Sequence, residues 1–435
     1  MLAAKASACL SLTSTGIFVC SWSTGGLWAA GNSDSPAYNS LVTNSSNATT
    51  YLDPLPAPAV TSSHIPRAQA EQYLQQFAQH HSLHYNIRFS TSVEEVKQSA
   101  EGDKSWTVTQ RLVTTGQTTT SVYRAVIVAT GTQSRSNAYI SDNLNQQADN
   151  ANIPAIHSSD YREPSAYAGK SVLIVGLGNS ASEIATEVSR VAARTLVAVR
   201  TTPWILPLDI LGVPSDVVAG SLVGPPWFKL MALNCLQRLW VGHPTSLGFP
   251  TPPSHGLLGR KPIMDRGIAQ ALRTGRVQVR PNIASIRSEG VTFEGAKAGE
   301  VAEKVDAIIF ATGYRRLYPY LPTDCRTGDE LPELTLTLFH PTHTGLLFMP
   351  EITVPQGVWP TFTLQADAIV SYLLADAGRS ERCVEFNMRR CGGLRYASPD
   401  CKGGMFRAAN KYHANPALYH RMLSEFSQWM AGKDK

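Results

Sequence analysis

Residues Ser171–Ala185 read SVLIVGLGNSASEIA. The run Ser171–Val175 is apolar and short, as a strand covered on both faces would be. Gly176-Leu177-Gly178-Asn179-Ser180-Ala181 follows, and then a helical pattern opens. In such a unit the first glycine permits the tight turn, and the second lets backbone approach a pyrophosphate. A small third residue, here Ala181, lets helix and strand pack closely. The helix N-terminus adds unpaired N–H groups and a partial positive charge. Gly176, Gly178, Asn179, Ser180 and Ala181 are therefore expected to cradle a dinucleotide. The sugar-reading position lies ~20 residues further on. An acid there accepts from the ribose 2′-OH of NAD, but this chain has Val199-Arg200-Thr201-Thr202. A cation followed by hydroxyls suits a 2′-phosphate, so Arg200 and Thr201 point to NADPH over NADH. The plainer reading of Arg200 is a solvated strand end. The unit lies far into the chain, where a simple dehydrogenase would not put its only nucleotide, so a second dinucleotide site is expected.

The 435 residues suit two or three interleaved domains. A hydrophobic content of 43%, a charged content of 16% and a net charge of +5 describe an ordinary globular chain. The basic residues are scattered, which argues against a nucleic-acid partner. Seven cysteines without a C-x-x-C give no zinc or dithiol signature and fit a reducing, cytoplasmic setting. The opening MLAAKASACLSLTSTGIFVCSW resembles a secretory signal only weakly, because Ser11, Thr13, Ser14, Thr15 and Gly16 break its apolar run. Without a secretory context the sequons at Asn44 and Asn47 carry no weight. No stretch has the ~20 apolar residues a membrane span needs. Residues 212–241 come closest, but Asp216, Pro225, Pro226 and Lys229 leave at most a surface that touches a membrane weakly.

The alternation of strands and helices argues an α/β fold. Helices are predicted over 2–12, 66–81, 264–275, 361–375 and 415–431. Within 66–81, Ala70, Tyr73, Leu74 and Phe77 share one face. His80, His81 and His84 read as a solvated helix end rather than a metal site, and no metal is expected. Strands are predicted at 16–22, in NIRFST, WTVTQRLV and SVYRAVIVAT between 85 and 130, and at the end of 302–311.

Taken in order, the motifs resemble those of the flavin-containing monooxygenases, the class B flavin enzymes that include the plant YUCCA type. GGLW (25–28) is similar to the family's flavin-adjacent turn, and LVTNSSN (41–47) to the segment whose Asn faces the flavin. VIVATGT (126–132) and FATGYR (310–315) are similar to its two Ala-Thr-Gly crossings, and HSSDY (157–161) to the latter part of its identifying motif. GLGNSA (176–181) matches its NADPH turn, and LQADA (364–368) its helix whose Gln reaches the flavin. Two features depart from the pattern. Ala151 and Ile153 stand where the identifying motif has Phe and Gly, while Tyr161 argues against the Baeyer–Villiger branch. Upstream of Gly25 there is no G-x-G-x-x-G, and no acid occurs before Asp34.

The resemblance implies two nested Rossmann-like dinucleotide-binding domains. The flavin domain would span 1–160 and 306–435, with its N-terminal part incomplete and the C-terminal tail on the substrate side. An NADPH domain, 161–305, would be inserted in it and carry an apolar stretch at 203–260. The implied cofactors are FAD and NADPH, and the implied reaction puts one oxygen of O₂ into a small molecule through a flavin hydroperoxide. Gly25, Gly26, Leu27, Trp28, Thr130, Gly131, Gly313 and Gln365 would touch cofactor. Asn44 would serve catalysis at the flavin's oxygen-reactive edge, unless it only closes an Asx turn. His157 reads equally as a structural hydrogen bonder or a nucleotide contact, and Tyr161 as packing. A flavin disulfide reductase would need a close cysteine pair, which is absent. A non-catalytic NADPH-binding remnant remains the alternative. Substrate and oligomeric state have no readable code.

Overall fold

The computed structural model describes residues 17–21, 23–59, 62–99, 105–222, 226–252, 262–296, 301–328, 330–350, 352, 357–391 and 416–432. The helix predicted over 2–12 lies outside them. The chain divides into two compact units. One comprises Pro36–Asn44 with Gln133–Arg315; the other comprises residues up to Ser35, Ser45–Thr132, and those from Arg316 onward.

The first unit is built on a five-stranded, all-parallel sheet. Its spatial order is Val277–Arg280, Arg194–Ala198, Ser171–Val175, Ala307–Phe310, Ala155–His157. Val172 and Ile174 face one side and pack with Ile184, Ala185 and Val188 of the helix Asn179–Val188. Leu173 and Val175 face the other, with Ala148 of the helix Asp142–Asn150 and Ile286 and Val291 of an antiparallel hairpin. Both faces are covered, so the strand is apolar at successive positions rather than alternating. Each such Val, Leu or Ile contributes roughly 1.5–3 kcal/mol by leaving water.

This sheet moves the expected boundaries. Ala155–His157 and Ala307–Phe310 are integral strands of it, although both lie outside 161–305. The unit edges fall instead after Thr132 and Arg315, within two residues of Gly131 and Gly313. A three-residue strand such as Ala155–His157 is too short to show a period, which is why the sequence placed it outside.

The second unit carries a three-stranded antiparallel sheet, Thr91–Gln98, Trp106–Leu112 and Thr118–Tyr123. The middle strand follows the predicted alternation, with Trp106, Val108 and Gln110 buried. Thr91–Gln98 was not foreseen: a register shift between Val93 and Glu95 breaks its period. Conversely, NIRFST yields Ile87–Arg88, paired with Ile17–Phe18, and only its last residue enters Thr91–Gln98. The stretch read as one strand, SVYRAVIVAT, is two: Val126–Val128 leaves the meander to pair in parallel with Leu346–Phe348. The helices Arg67–His80, Val358–Ala377 and Pro416–Met430 lie where the periodicity placed them. Tyr73 stacks on Trp359 at 5.5 Å, and Phe339, Tyr372, Phe386 and Phe426 form an aromatic core with centroids 5.0–5.9 Å apart.

Candidate functional site

In a parallel sheet, ligands bind outside the carboxyl ends of the strands, where the strand order reverses. Here that point lies between Ser171–Val175 and Ala307–Phe310, and the glycine turn leaves the sheet there. Gly176 has φ +98°, a region L side chains avoid. A Cβ on it would stand 2.7 Å from the Ala311 carbonyl oxygen, so backbone from two neighbouring strands meets at this residue. Gly178 caps the helix Asn179–Val188, and a Cβ there would have nothing within 4 Å. The space ahead of the helix N-terminus is therefore open, at the end where the first turn's N–H groups lack intrahelical partners. Ala181 is buried, as close helix–strand packing requires. The Asn179 side chain is used within the protein: its Oδ1 accepts the Met264 N–H at 2.9 Å.

Arg200 is exposed just past the strand Arg194–Ala198, and among the described residues no carboxylate pairs with it. Thr201 is half-buried, and Thr202 is buried with its hydroxyl donating to the Pro250 carbonyl at 2.8 Å.

Gly313 follows the strand Ala307–Phe310 with φ +89°. His157, at the end of the edge strand, is buried beneath it. The Ser159 N–H donates to His157 Nδ1 at 3.1 Å, and Nε2 lies 3.0 Å from the Gly313 carbonyl oxygen. The ring proton therefore sits on Nε2, both nitrogens are spoken for, and the structural alternative for His157 holds. Burial pushes its pKa below the ordinary 6.5. Below that value the unfolded chain takes up a proton that the folded chain resists. This contribution to stability is complete at neutral pH and is lost as pH falls through the depressed folded value. His157→Gln is expected to flatten the decline in urea-unfolding midpoint between about pH 7 and pH 5; parallel pH profiles would contradict this.

Tyr161 is buried, and its hydroxyl donates to Glu187 Oε2 at 2.8 Å. Asn44 belongs to the same unit as the glycine turn. Its side chain is exposed and, among the described residues, closes no Asx turn. The segment before it is held by side chains that the sequence reading missed. Tyr38 donates to Glu183, Ser40 donates to Glu187, and Arg266 Nη2 donates to the Thr43 carbonyl at 2.6 Å. Arg266 Nε lies 3.2 Å from Glu183 Oε1. Burial, the largest cause, raises the Glu183 pKa despite the opposing guanidinium, and burial likewise raises that of Tyr38. The available signal was a glutamate pair, Glu183 and Glu187, one helical turn apart in a helix whose flanking residues are small and apolar.

In the second unit Gly25 and Gly26 both have positive φ, +121° and +55°. They start the short helical turn Gly26–Trp28. The Ala30 N–H donates to Glu71 Oε2 at 3.0 Å, and Arg67 Nε donates to the Trp28 carbonyl at 3.4 Å, tying the turn to the helix Arg67–His80. Leu27 is half-buried, and its carbonyl accepts from the Ser35 hydroxyl. Trp28 packs against the cluster of Tyr73, Phe77 and Trp359. Gly131 has φ +74° with open space at its Cβ position, and the Thr130 hydroxyl is 3.2 Å from that of Tyr320. Gln365 is wholly buried; its Nε2 donates to Tyr419 Oη at 3.1 Å, while its Oε1 has no partner among the described residues.

Cys325, His340 and His343 bring potential ligand atoms within 4.8 Å of one another. His340 Nδ1, however, accepts the N–H groups of Thr342 and His343 at 3.2 and 3.0 Å, and its Nε2 faces the Cys325 carbonyl at 3.3 Å. Burial foremost, then Asp324, pushes the Cys325 thiol up to about 12. The group braces a turn, with no ring nitrogen of His340 left for an ion. Among the described residues, Cys20, Cys235 and Cys325 are free thiols.

A glycine turn at the switch point of a parallel sheet, in a chain that passes between its two units at two Ala-Thr-Gly segments, defines an α/β protein with Rossmann-like dinucleotide-binding domains. The chain belongs to the flavin-binding monooxygenase-like family, whose model matches residues 8–329. It is 27% identical over 370 residues to dimethylaniline monooxygenase (N-oxide-forming) 2 of Rattus norvegicus, covering 79% of this chain and 65% of that protein. It is 28% identical over 312 residues to flavin-containing monooxygenase 3 of Homo sapiens, covering 68% and 57%. The chain thus spans about three fifths of the length of these curated relatives. Oxidized steroid monooxygenase bound to NADP shares the fold, with a TM-score of 0.67 at 15% identity over 96% of this chain and 93% of that one.

Proposed function

We propose that the protein is an NADPH- and FAD-dependent monooxygenase of small molecules. The observation that carries this is the open, glycine-lined space ahead of the helix Asn179–Val188 at the switch point of the sheet, in a chain of this family. Gly178 leaves the seat clear, and the N–H groups of the first helical turn serve as phosphate donors. Arg200, which pairs with no carboxylate among the described residues, takes the 2′-phosphate, with Thr201 beside it. The family resemblance assigns the backbone at Gly25, Gly26, Leu27, Trp28, Thr130, Gly131 and Gly313 to the flavin; it also assigns Gln365, whose buried Oε1 has no partner among the described residues. FAD bound there would supply hydride acceptance from NADPH and O₂ activation. The chain's own part is to orient the two cofactors, keep water from the reacting edge and, through Asn44, offer a side-chain amide to it.

The test is NADPH oxidation, with and without added FAD, across amines, thioethers and keto acids. FAD-dependent NADPH consumption with oxygenated product is expected. A colourless protein that binds NADPH alone would support a non-catalytic binding module instead.

No described helix is long and apolar enough to cross a membrane. Leu239 is 76% and Met231 50% exposed on the helix Pro226–Trp240, beside Trp240. We infer weak contact of this surface with lipid. Liposome co-sedimentation is expected to fall for Leu239→Ser together with Trp240→Ser, and unchanged binding would contradict it.

A further inference from the structure

Residues Pro36–Asn44 lie between two stretches of the second unit in sequence, yet they pack as part of the nucleotide-binding unit. What holds them there is specific. Glu183 and Glu187 project from successive turns of the helix that the glycine turn opens. They receive the hydroxyls of Tyr38 and Ser40. The Asn39 N–H donates to the Arg162 carbonyl at 3.0 Å. Arg266 then spans both partners, pairing with Glu183 and donating at 2.6 Å to the carbonyl of Thr43, the residue before Asn44. Arg266 is itself placed by the nucleotide turn: Asn179 holds Met264, two residues earlier, and Asp265 Oδ1 accepts from Gly267 and Ala269 at 2.9 and 3.1 Å. The side chains of Glu183 and Arg266 are only 7% and 15% exposed. Burying an ion pair is a poor way to gain stability, and its best-attested use is to fix one geometry.

We propose that Arg266 is a positioning residue, which with Glu183 and Tyr38 locks the Thr43–Asn44 backbone to the helix that binds the dinucleotide. Asn44 is then presented from the nucleotide's own unit, in fixed relation to the glycine turn. The consequence for coupling rests on the reading of Asn44 given above; the strap does not.

Two arms test it on the full chain. The first is amide hydrogen exchange without cofactor. In Arg266→Gln, amides of 38–44 are expected to exchange at least tenfold faster, with those of 172–175 and 196–198 unchanged; unchanged exchange at 38–44 overturns the proposal. Leaving Glu183 charged and unpaired threatens folding, so Glu183→Gln with Arg266→Gln is the companion variant. It removes the buried charge yet still leaves the Thr43 carbonyl without its donor, and the same rise is expected. The second arm measures hydrogen peroxide released per NADPH consumed, beside NADP⁺ affinity by calorimetry. Arg266→Gln is expected to raise peroxide as Asn44→Ala does, the double variant to add nothing further, and affinity to stay within threefold. Additive effects overturn the positioning role. If Asn44→Ala leaves peroxide unchanged while exchange rises as expected, the strap stands and the catalytic reading of Asn44 fails.

Discussion

Replacing Gly178 with Ala is expected to separate binding from folding. The residue has φ −97°, which any L residue adopts, and a Cβ there meets no protein atom within 4 Å. The cost to stability is then no more than the exchange of a glycine cap for an alanine, below about 1 kcal/mol. The added methyl group, however, occupies the seat of the pyrophosphate. Displacing one charge-assisted hydrogen bond costs about 1.5–3 kcal/mol, so NADP⁺ should bind about 10–100-fold more weakly. Gly176→Ala makes the complementary case. The methyl is forced to 2.7 Å from the Ala311 oxygen in a left-handed backbone, and crowding together with the unfavourable φ costs about 3 kcal/mol. Calorimetry and urea titration on both variants check the pair. Equal loss of stability in the two, or full NADP⁺ affinity in Gly178→Ala, would contradict the phosphate seat.

Arg200→Ala is expected to erase the preference for the phosphorylated coenzyme. A guanidinium that meets a 2′-phosphate makes charge-assisted bonds worth about 1.5–3 kcal/mol, and NADH offers it no phosphate. KM for NADPH should rise about 10–100-fold, with that for NADH hardly changed. Because Arg200 is exposed and has no internal ion pair among the described residues, its removal should leave stability alone. Equal effects on the two coenzymes would reduce Arg200 to a solvated strand end.

The parallel-sheet unit and its glycine turn were legible where the chemistry is local. Gly176, Gly178 and Ala181 announce a turn through residue type and spacing, and an apolar run such as Val172–Val175 announces a strand covered on both faces. The strap was not legible, because Tyr38, Glu183 and Arg266 are far apart in sequence and meet only through the tertiary fold. The strand Thr91–Gln98 escaped because a bulge breaks its period. The short strands Ala155–His157 and Val126–Val128 escaped because three residues carry no period at all. Gln365 was singled out through its family motif, but nothing in the sequence foretold that one end of its amide would be engaged by Tyr419 and the other left without a partner among the described residues.

The central claim is that electrons pass from a nicotinamide held at the 176–181 turn to a flavin held by the same chain. Anaerobic mixing of the FAD-reconstituted protein with NADPH tests it most directly. Complete bleaching of the oxidised flavin's visible absorbance is expected, much slower with NADH and slower again in Gly178→Ala. A flavin that stays oxidised under excess NADPH, or a protein that takes up no FAD, would contradict it.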